Sequence, residues 1–167
     1  MKNYKTLLQI FVAFPFVFVV LPYIAITINN NYLLPVYDYI YFKIIGLALA
    51  TIGLVIVIHC AHVLFFKPKQ DIPFPGGLLR PPEKFIVEGL YKYVRNPMVI
   101  GYFIIILSEF FIFGHLLILI YLIILILFAN IIIIFKEEKD LEKSFGREYV
   151  RYKERVSRWI PRFKAEN

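Results

Sequence analysis

Long apolar runs dominate the pattern of hydrophobic and polar positions along the chain. They occupy residues 7–28, 44–66 and 98–135. A helix needs about 20 apolar residues to cross the hydrocarbon core of a bilayer, so each of the first two runs predicts one span. The third run is long enough for two short spans, and Gly114-His115 is where a helical hairpin would turn between them.

The spans are predicted to be α-helices, because backbone polar groups inside a bilayer must be bonded within the protein. Pro15 and Pro22 predict a bend in the first span, since each removes a backbone donor from the helix. The predicted fold is therefore all-α, a polytopic membrane helical bundle of about four transmembrane helices. Composition agrees, because hydrophobic residues make up 60% of the 167 residues, well above the share in an ordinary soluble domain.

The C-terminal tail, residues 136–167, has a different pattern. It is rich in charge up to Arg158, and apolar residues recur there at steps of three or four, which predicts a cytoplasmic amphipathic helix. We expect Gly146 to interrupt this helix and Pro161 to end it. The apolar stripe would lie on the membrane interface or close over the bundle. It consists of Leu141, Phe145, Tyr149, Tyr152, Val156 and Trp159.

Basic residues are distributed unequally about the predicted spans. With four crossings, Lys2, Lys5, six basic residues in the loop 67–97 and ten in the tail fall on one side, and Lys43 alone falls on the other. The positive-inside bias then places both termini and the loop in the cytoplasm. The net charge of +7 therefore marks a membrane face, and we expect no nucleic-acid partner.

The sequence predicts a single membrane domain over residues 1–167. Within it, residues 1–66 hold the first two spans, the cytoplasmic loop 67–97 follows, residues 98–135 form the hairpin of spans, and the tail 136–167 completes the domain. Proline and glycine are frequent in the loop, which predicts an ordered but irregular cap rather than a long helix.

Two kinds of polar side chain within the apolar runs are candidates for chemistry. Glu109 lies at a depth where a carboxyl group must be neutral, paired or close to water. Alternatively it reaches the outer interface from the end of a short helix, or contacts His115 or Asn130. His59 and His62 have the spacing of two metal ligands on one helix face, but a third ligand is lacking, so we expect packing and no metal site.

The boundary between the loop and the third run has the features of an anion site. Arg95 lies at the water boundary, and Pro97 can open a helix at its first turn, which leaves backbone N–H groups beside the guanidinium. These donors would favour a bound carboxylate or phosphate. The alternative is membrane anchoring by positive charge, with Tyr91 and Tyr93 as interfacial aromatic residues.

Two adjacent acids, Glu137 and Glu138, follow the fourth predicted span, where Lys or Arg is the usual anchor. They could accept hydrogen bonds from ligand hydroxyl groups or neutralise a cation, and the alternative is a solvated helix surface. A hairpin topology puts these acids at the same end of the bundle as Arg95.

Several separated blocks stand out within residues 82–163. They are Pro82-Glu-Lys-Phe-Ile-Val-Glu-Gly-Leu-Tyr-Lys-Tyr-Val-Arg-Asn-Pro-Met98, Ser108-Glu109, Glu137-Glu138, Phe145-Gly-Arg-Glu-Tyr-Val-Arg-Tyr-Lys-Glu-Arg-Val156 and Arg158-Trp-Ile-Pro-Arg162. In their order and in their places relative to the spans, these blocks resemble the isoprenylcysteine carboxyl methyltransferase and phospholipid methyltransferase family of membrane enzymes. The first block is similar to the family pattern G-x-Y-R-Y-V-R-[HN]-P-M-Y-x-G. The chain departs from the family's usual residues at Lys92, Asn96, Val99 and Ser157.

The resemblance implies a methyltransferase with a cytoplasm-facing pocket for S-adenosyl-L-methionine, closed by the tail and open to the bilayer. The methyl acceptor would be a lipophilic small molecule, a prenylated substrate such as an isoprenylcysteine carboxylate, or a membrane lipid. Catalytic roles would fall to Arg95, Asn96 and Arg155, with Arg155 or Arg158 orienting an acidic acceptor or a lipid phosphate. The residues of the cofactor pocket would be Tyr93, Arg95, Asn96, Pro97, Gly101, Glu137, Glu138, Tyr149 and Tyr152.

Two other functions fit parts of the pattern. An NADPH-dependent sterol-reductase-like enzyme would have a similar Arg-x-His-Pro region and tail, although such chains need more spans. A non-catalytic membrane adaptor would keep the fold and recruit anionic lipid or a partner through its basic tail. Asn96 and Val99 leave the adaptor open, since they replace residues that bear on substrate chemistry in the family.

Overall fold

The computed structural model describes residues 15–66 and 87–162, which are largely helical and contain no β-strand. The helices are α1 (Leu21–Asn31), α2 (Ile40–Phe66), α3 (Pro97–Phe113), α4 (Leu116–Ile132), α5 (Glu138–Phe145) and α6 (Arg147–Arg155). Two π turns, Phe16–Val20 and Ile133–Glu137, and a 3-10 turn, Gly89–Lys92, complete the helical segments of these residues. The predicted all-α fold is confirmed for this part of the chain.

Two of the described helices are long and apolar enough to cross a membrane, Ile40–Val63 and Leu116–Phe145. Two shorter segments are also apolar, Phe16–Asn31 and Pro97–Phe113. Helix length therefore supports two spans, and the other two crossings stay a prediction. The second long helix extends past the apolar run, because α4 continues through the π turn Ile133–Glu137 directly into α5.

The first helix is irregular near the two prolines. Residues 7–14 of the first predicted span lie outside the described residues. Beyond them, the N–H of Leu21 donates to the carbonyl of Phe16, five residues back, which makes a π turn before α1. Pro22 follows at the start of α1 and has no N–H to contribute. The bend predicted from Pro15 and Pro22 stays a prediction, and the described residues show a change from π to α geometry at this point.

The turn between α3 and α4 lies where the sequence predicted it. Gly114 has φ of +72°, a left-handed conformation that costs glycine little. A Cβ there would lie 2.5 Å from the carbonyl oxygen of Tyr37, whose N–H donates to the carbonyl of Gly114 at 2.9 Å. Both the backbone conformation and the close approach of Tyr37 therefore require glycine at this turn.

One compact unit comprises Met1–Ile52 and Phe103–Leu127. Its core contains the buried side chains of Ile106, Ile118 and Leu122, with partly buried apolar residues packed around them. This core follows directly from the apolar runs, since α3 and α4 are uniformly hydrophobic in sequence. No ion pair is found among the residues of this core.

One buried polar side chain, Asn29, connects two backbone segments of this unit by hydrogen bonds. Asn29 has no exposed surface. Its Nδ2 donates to the carbonyl of Leu34 at 3.1 Å, and its Oδ1 accepts from the N–H of Leu117 at 3.3 Å. Because Leu117 lies in the first turn of α4, Asn29 satisfies a donor that the helix itself leaves unbonded.

The second compact unit comprises Gly53–Tyr102 and Phe128–Asn167. Within it, Gly101 on α3 packs closely against α2. A Cβ at Gly101 would lie 2.8 Å from Cγ2 of Val57 and 3.2 Å from the carbonyl oxygen of Gly53. Absence of a side chain thus lets the two helices approach each other at this point.

The tail of the second unit forms two helices instead of one. The predicted interruption at Gly146 is confirmed, since α5 ends at Phe145 and α6 begins at Arg147. The prediction that Pro161 ends the helix is wrong. Val156 is already extended, with φ of −115° and ψ of +127°, so α6 ends at Arg155. The physical reason is that the residues after it bond with a distant segment of the same unit, as described below.

Candidate active site

Arg95 and Glu138 form a largely buried ion pair in the second unit. Nη1 of Arg95 donates to Oε1 of Glu138 at 2.8 Å. The two side chains are only 11% and 7% exposed. Arg95 precedes α3 by two residues, and Glu138 is the first residue of α5. Two groups that the sequence predicted at one end of the bundle are therefore in direct contact.

Arg158 in the tail binds the same carboxylate. Its Nε donates to Oε1 of Glu138 at 2.7 Å and its Nη2 donates to Oε2 at 3.1 Å. A two-point contact of this kind fixes the orientation of both groups. The hydrogen bond to Glu138 also raises the pKa of Arg158 above its ordinary value. Glu138 therefore connects Arg95, before α3, with Arg158, near the end of the tail.

The carboxylate of Glu138 has a third basic neighbour. Nζ of Lys153 lies 3.8 Å from Oε2 of Glu138 and also pairs with Glu142. Arg95, Arg158, Lys153, Glu138 and Glu142 constitute what we call the ion cluster. Its three basic and two acidic side chains leave an excess of one positive charge. Such a group favours a bound anion.

Arg95 retains a donor that the ion cluster does not use. Its Nε is buried and has no hydrogen-bond partner among the described residues. A buried guanidinium N–H without an acceptor is costly, so a group that supplies an oxygen at this point would be stabilised. The free donor and the net charge of the cluster point to the same class of ligand, an anionic oxygen.

Tyr149 lies beside this ion pair and stays protonated. Burial, reinforced by the negative charge of Glu138, raises the pKa of Tyr149 to about 12, although Arg95 acts in the opposite direction. Its hydroxyl is therefore a neutral group at physiological pH. The side chain packs with Tyr152 and Val156 in a buried core of the unit.

Backbone hydrogen bonds connect the segment before α3 with the end of the tail. The N–H of Arg95 donates to the carbonyl of Ser157 at 2.9 Å, and the N–H of Arg162 donates to the carbonyl of Tyr93 at 3.0 Å. Nδ2 of Asn96 reaches the carbonyl of Arg158 at 3.4 Å. These contacts need a non-helical backbone after Val156, which explains the early end of α6.

Side chains of the apolar stripe form a buried core in the second unit. Tyr149, Tyr152 and Val156 are buried, with Val87, Leu141 and Phe145 packed against them. The hydroxyl of Tyr152 donates to the carbonyl of Tyr91 at 2.8 Å. The sequence left two positions open for the stripe, on the membrane interface or against the protein. Tyr149, Tyr152 and Val156 are packed within the protein.

Trp159 departs from the rest of the stripe. Its Nε1 donates to Oδ1 of Asn130 on α4 at 2.9 Å. The sequence suggests Asn130 only as a neighbour of Glu109, and no pattern in it connects Asn130 with the tail. The available signal was a single amide in the last apolar run and the one tryptophan of the chain, but nothing local links two residues 29 positions apart.

The remaining predicted site residues differ in their surroundings. Pro97 is the first residue of α3, as the sequence predicts, and it is fully buried. The ring of Tyr93 is partly exposed. Gly101 faces Val57 on α2 rather than an open space. Glu137 is half-buried at the end of the π turn, and Arg155 is exposed at the end of α6. Of the two tail arginines considered, Arg158 is the one in the ion cluster.

Two further candidates lie away from the ion cluster. Glu109, in the first unit, is partly exposed, and its Oε2 is buried without a hydrogen-bond partner among the described residues. Nε2 of His59 would be 2.9 Å from a Cβ at Gly89, so this histidine packs against the 3-10 turn. Within residues 15–66 and 87–162, no three His, Cys, Asp or Glu residues are grouped as metal ligands.

Comparison with known proteins gives one match. The family model for phospholipid methyltransferase matches residues 41–148, which is well over half of the chain. No curated protein and no solved structure matches. The matched region includes Arg95 and Glu138, the two groups at the centre of the ion cluster. The family relationship predicted from the sequence blocks is confirmed.

Proposed function

The chain belongs to the phospholipid methyltransferase family, and from this we propose that it transfers a methyl group from S-adenosyl-L-methionine to a lipophilic acceptor in the membrane. Membership indicates a methyltransferase, and the apolar helices support a membrane enzyme. The observation that carries the more specific proposal is the buried pair of Arg95 with Glu138, next to a guanidinium donor that has no acceptor among the described residues.

We place this chemistry at the cytoplasmic face of a protein that crosses the membrane four times. The turn at Gly114 supports a hairpin of α3 and α4, and the uneven distribution of basic residues supports cytoplasmic termini. With this topology, Arg95 and the charged segment after Phe135 lie at the water boundary, where a soluble cofactor and a lipid can both arrive.

The residues present fit the carboxylate of the cofactor. Arg95 offers a buried N–H that has no acceptor in residues 15–66 and 87–162. The five side chains of the ion cluster include one more basic than acidic group, and Tyr149 is a neutral hydroxyl beside the ion pair. When bound, S-adenosylmethionine supplies a methyl group on a positively charged sulfur. In the proposal Arg95 holds the carboxylate, and Tyr93, Asn96 and Pro97 shape the wall around it.

Glu138 acts mainly by positioning in this proposal. Both of its oxygens accept hydrogen bonds from guanidinium groups, so its first effect is to hold Arg95 and Arg158 in place. We infer that Glu137, one residue earlier, contacts the ribose or the amino end of the cofactor. Methyl transfer needs alignment and exclusion of water more than covalent assistance, so such positioning is a sufficient role for the protein.

In this proposal the tail covers the site and contacts the acceptor. Tyr149 and Tyr152 bury its apolar side, while Arg155 and Arg158 provide charge for an acidic acceptor or a lipid phosphate. Two acceptor classes suit this combination, an isoprenylcysteine carboxylate and a phospholipid head group. Both have a hydrocarbon part that can remain in the bilayer while the head is methylated.

Binding of S-adenosylmethionine to purified protein in detergent tests the proposal. We expect saturable binding by the wild type and affinity about tenfold to a hundredfold weaker for Arg95→Ala, because a charged hydrogen bond is lost. Glu138→Ala should weaken binding in the same direction. Asp140→Asn is the matched control, since Asp140 is exposed on the same helix as Glu138. A wild-type protein that binds no S-adenosylmethionine would refute the proposal.

A further inference from the structure

Two adjacent tail residues bind the same helix at two separate points. Arg158 contacts Glu138 and Trp159 contacts Asn130, and Asn130 and Glu138 lie eight residues apart on the continuous helix that begins at Leu116. Arg158 and Trp159 lie in a bend, and two neighbouring side chains there reach one helix most directly when the two helix positions face the same way. In a regular α-helix, Asn130 and Glu138 would not face the same way.

The π turn Ile133–Glu137 lies between these two points and changes their relative orientation. An α-helix advances about 100° per residue, so positions eight apart differ by about 80° around the axis. The N–H of Glu138 bonds the carbonyl of Ile133, five residues back. A turn closed in this way holds one residue more than an α turn. Glu138 is therefore oriented as if it were seven positions after Asn130, within about 20° of the same face.

We propose that this π turn sets the register that lets Arg158 and Trp159 bind one face of the helix, and that Asn130 and Trp159 are positioning residues that hold the tail over the site. The role of the tail in catalysis rests on the proposed function, whereas the register itself does not. Trp159 acts through its neighbour, because the bond to Asn130 fixes the segment that carries Arg158 to Glu138.

The same segment carries the backbone bonds to the residues before α3. The carbonyl of Ser157 accepts from Arg95, and the N–H of Arg162 donates to Tyr93, so both bonds depend on where residues 157–162 lie. Exchange of the Arg95 and Arg162 amide hydrogens therefore reports the position of the tail without any need for activity. This separates a failure of the register from a failure of the methyltransferase proposal.

Changing the length of the π turn tests the register. Deletion of Ile134 removes the extra residue and leaves Asn130 and Glu138 seven apart in a regular helix, so exchange at Arg95 and Arg162 should remain as slow as in the wild type. Insertion of alanine after Ile134 adds a second extra residue, and exchange should be at least about tenfold faster because the bonds to the tail are lost. Equal exchange in the two variants, fast or slow, would overturn the proposal.

Removing the indole donor tests the positioning role. Trp159→Phe keeps the ring but not the N–H, and we expect faster exchange at Arg95 together with a KM for S-adenosylmethionine raised about tenfold and a nearly unchanged kcat. Asn130→Leu should give the same change, and the double variant should add little to either. Ile160→Ala is the control, because Ile160 is 76% exposed. Unchanged exchange and KM in Trp159→Phe would contradict the role. If the wild type proves inactive, the exchange rates still decide it.

Discussion

The two compact units differ in what stabilises their interiors. The first is built around Ile106, Ile118 and Leu122, with Asn29 as its buried polar tie between backbone segments. In the second, buried tyrosines lie beside a carboxylate that binds two guanidinium groups. Burying charges is unfavourable unless every charge is paired, so an arrangement of this kind is retained at a cost in stability. The second unit, which holds the ion cluster, is therefore where we propose that the chemistry takes place.

The same contrast shows which interior tolerates change. An apolar core accepts exchange of one hydrophobic residue for another as long as volume is kept. The ion cluster does not, because removal of Glu138 leaves Arg95 and Arg158 without the carboxylate that both of them bind. Variants in the two units should therefore differ in kind: those of the first unit should alter stability alone, while those of the second should alter stability and cofactor binding together.

The largest effect is expected for Glu138→Gln. Loss of the negative charge leaves Arg95 and Arg158 facing each other without compensation, which should reduce the free energy of unfolding by about 3–5 kcal/mol. Thermal unfolding in detergent measures this change. Asp140→Asn, an exposed exchange of the same chemistry on α5, should be close to neutral. Equal unfolding temperatures for the two variants would contradict the stabilising role of the Glu138 carboxylate.

Alanine at the close helix contacts comes next and compares the units directly. A Cβ at Gly101 would lie 2.8 Å from Val57, and one at Gly46 would lie 3.0 Å from the backbone of Ser108 and of Ile112. Overpacking of this kind should destabilise each variant by about 1–3 kcal/mol. Thermal unfolding measures this loss, and titration with S-adenosylmethionine at a temperature where both variants are folded should show weaker binding for Gly101→Ala alone. Weaker binding by Gly46→Ala would contradict the assignment of the site.

Asn29→Leu should have a smaller effect, confined to the first unit. The substitution leaves the carbonyl of Leu34 and the N–H of Leu117 without their partner, at a cost of about 1–2 kcal/mol. The unfolding temperature should fall, while affinity for S-adenosylmethionine stays at the wild-type value. A change in affinity at constant folded fraction would mean that the hydrogen bonds of Asn29 also serve the site.

Tyr152→Phe is the smallest test and lies in the second unit. It removes only the hydroxyl that donates to the carbonyl of Tyr91, and the ring keeps its place in the buried core. We expect a loss of about 1 kcal/mol in the free energy of unfolding. Val150→Ala, at an exposed position on the same helix, provides the control. No difference between these two variants would show that this bond does not hold the tail.

The features that the sequence predicted are those controlled by local chemistry. Pro97 at the start of α3, the turn at Gly114 and the break at Gly146 all follow from the restrictions that proline and glycine place on their own backbone. The apolar runs likewise predicted the helices. Arg95 and the unexpected acids after the fourth predicted span were recognisable as candidates because charges at such positions need partners.

The features that escaped prediction depend on residues far apart in the chain. The end of α6 at Arg155 follows from bonds to Arg95 and Tyr93, which no local signal specifies. The π turn before Glu138 and the bond from Trp159 to Asn130 likewise need the tail in place. Sequence analysis expected Glu138 to face the cofactor, whereas in the structure its oxygens bind two arginines, and its contact with a cofactor stays a prediction.

The most direct test of the central claim is transfer of a radiolabelled methyl group from S-adenosylmethionine, catalysed by the purified protein in native membrane lipids. A second reaction contains a prenylated cysteine analogue. The account predicts that label enters the organic phase in at least one of these reactions, and that Arg95→Lys reduces the rate at least about tenfold, because lysine cannot reproduce the two contacts of the guanidinium. Absence of label from both acceptors, with wild-type protein that is folded, would contradict it.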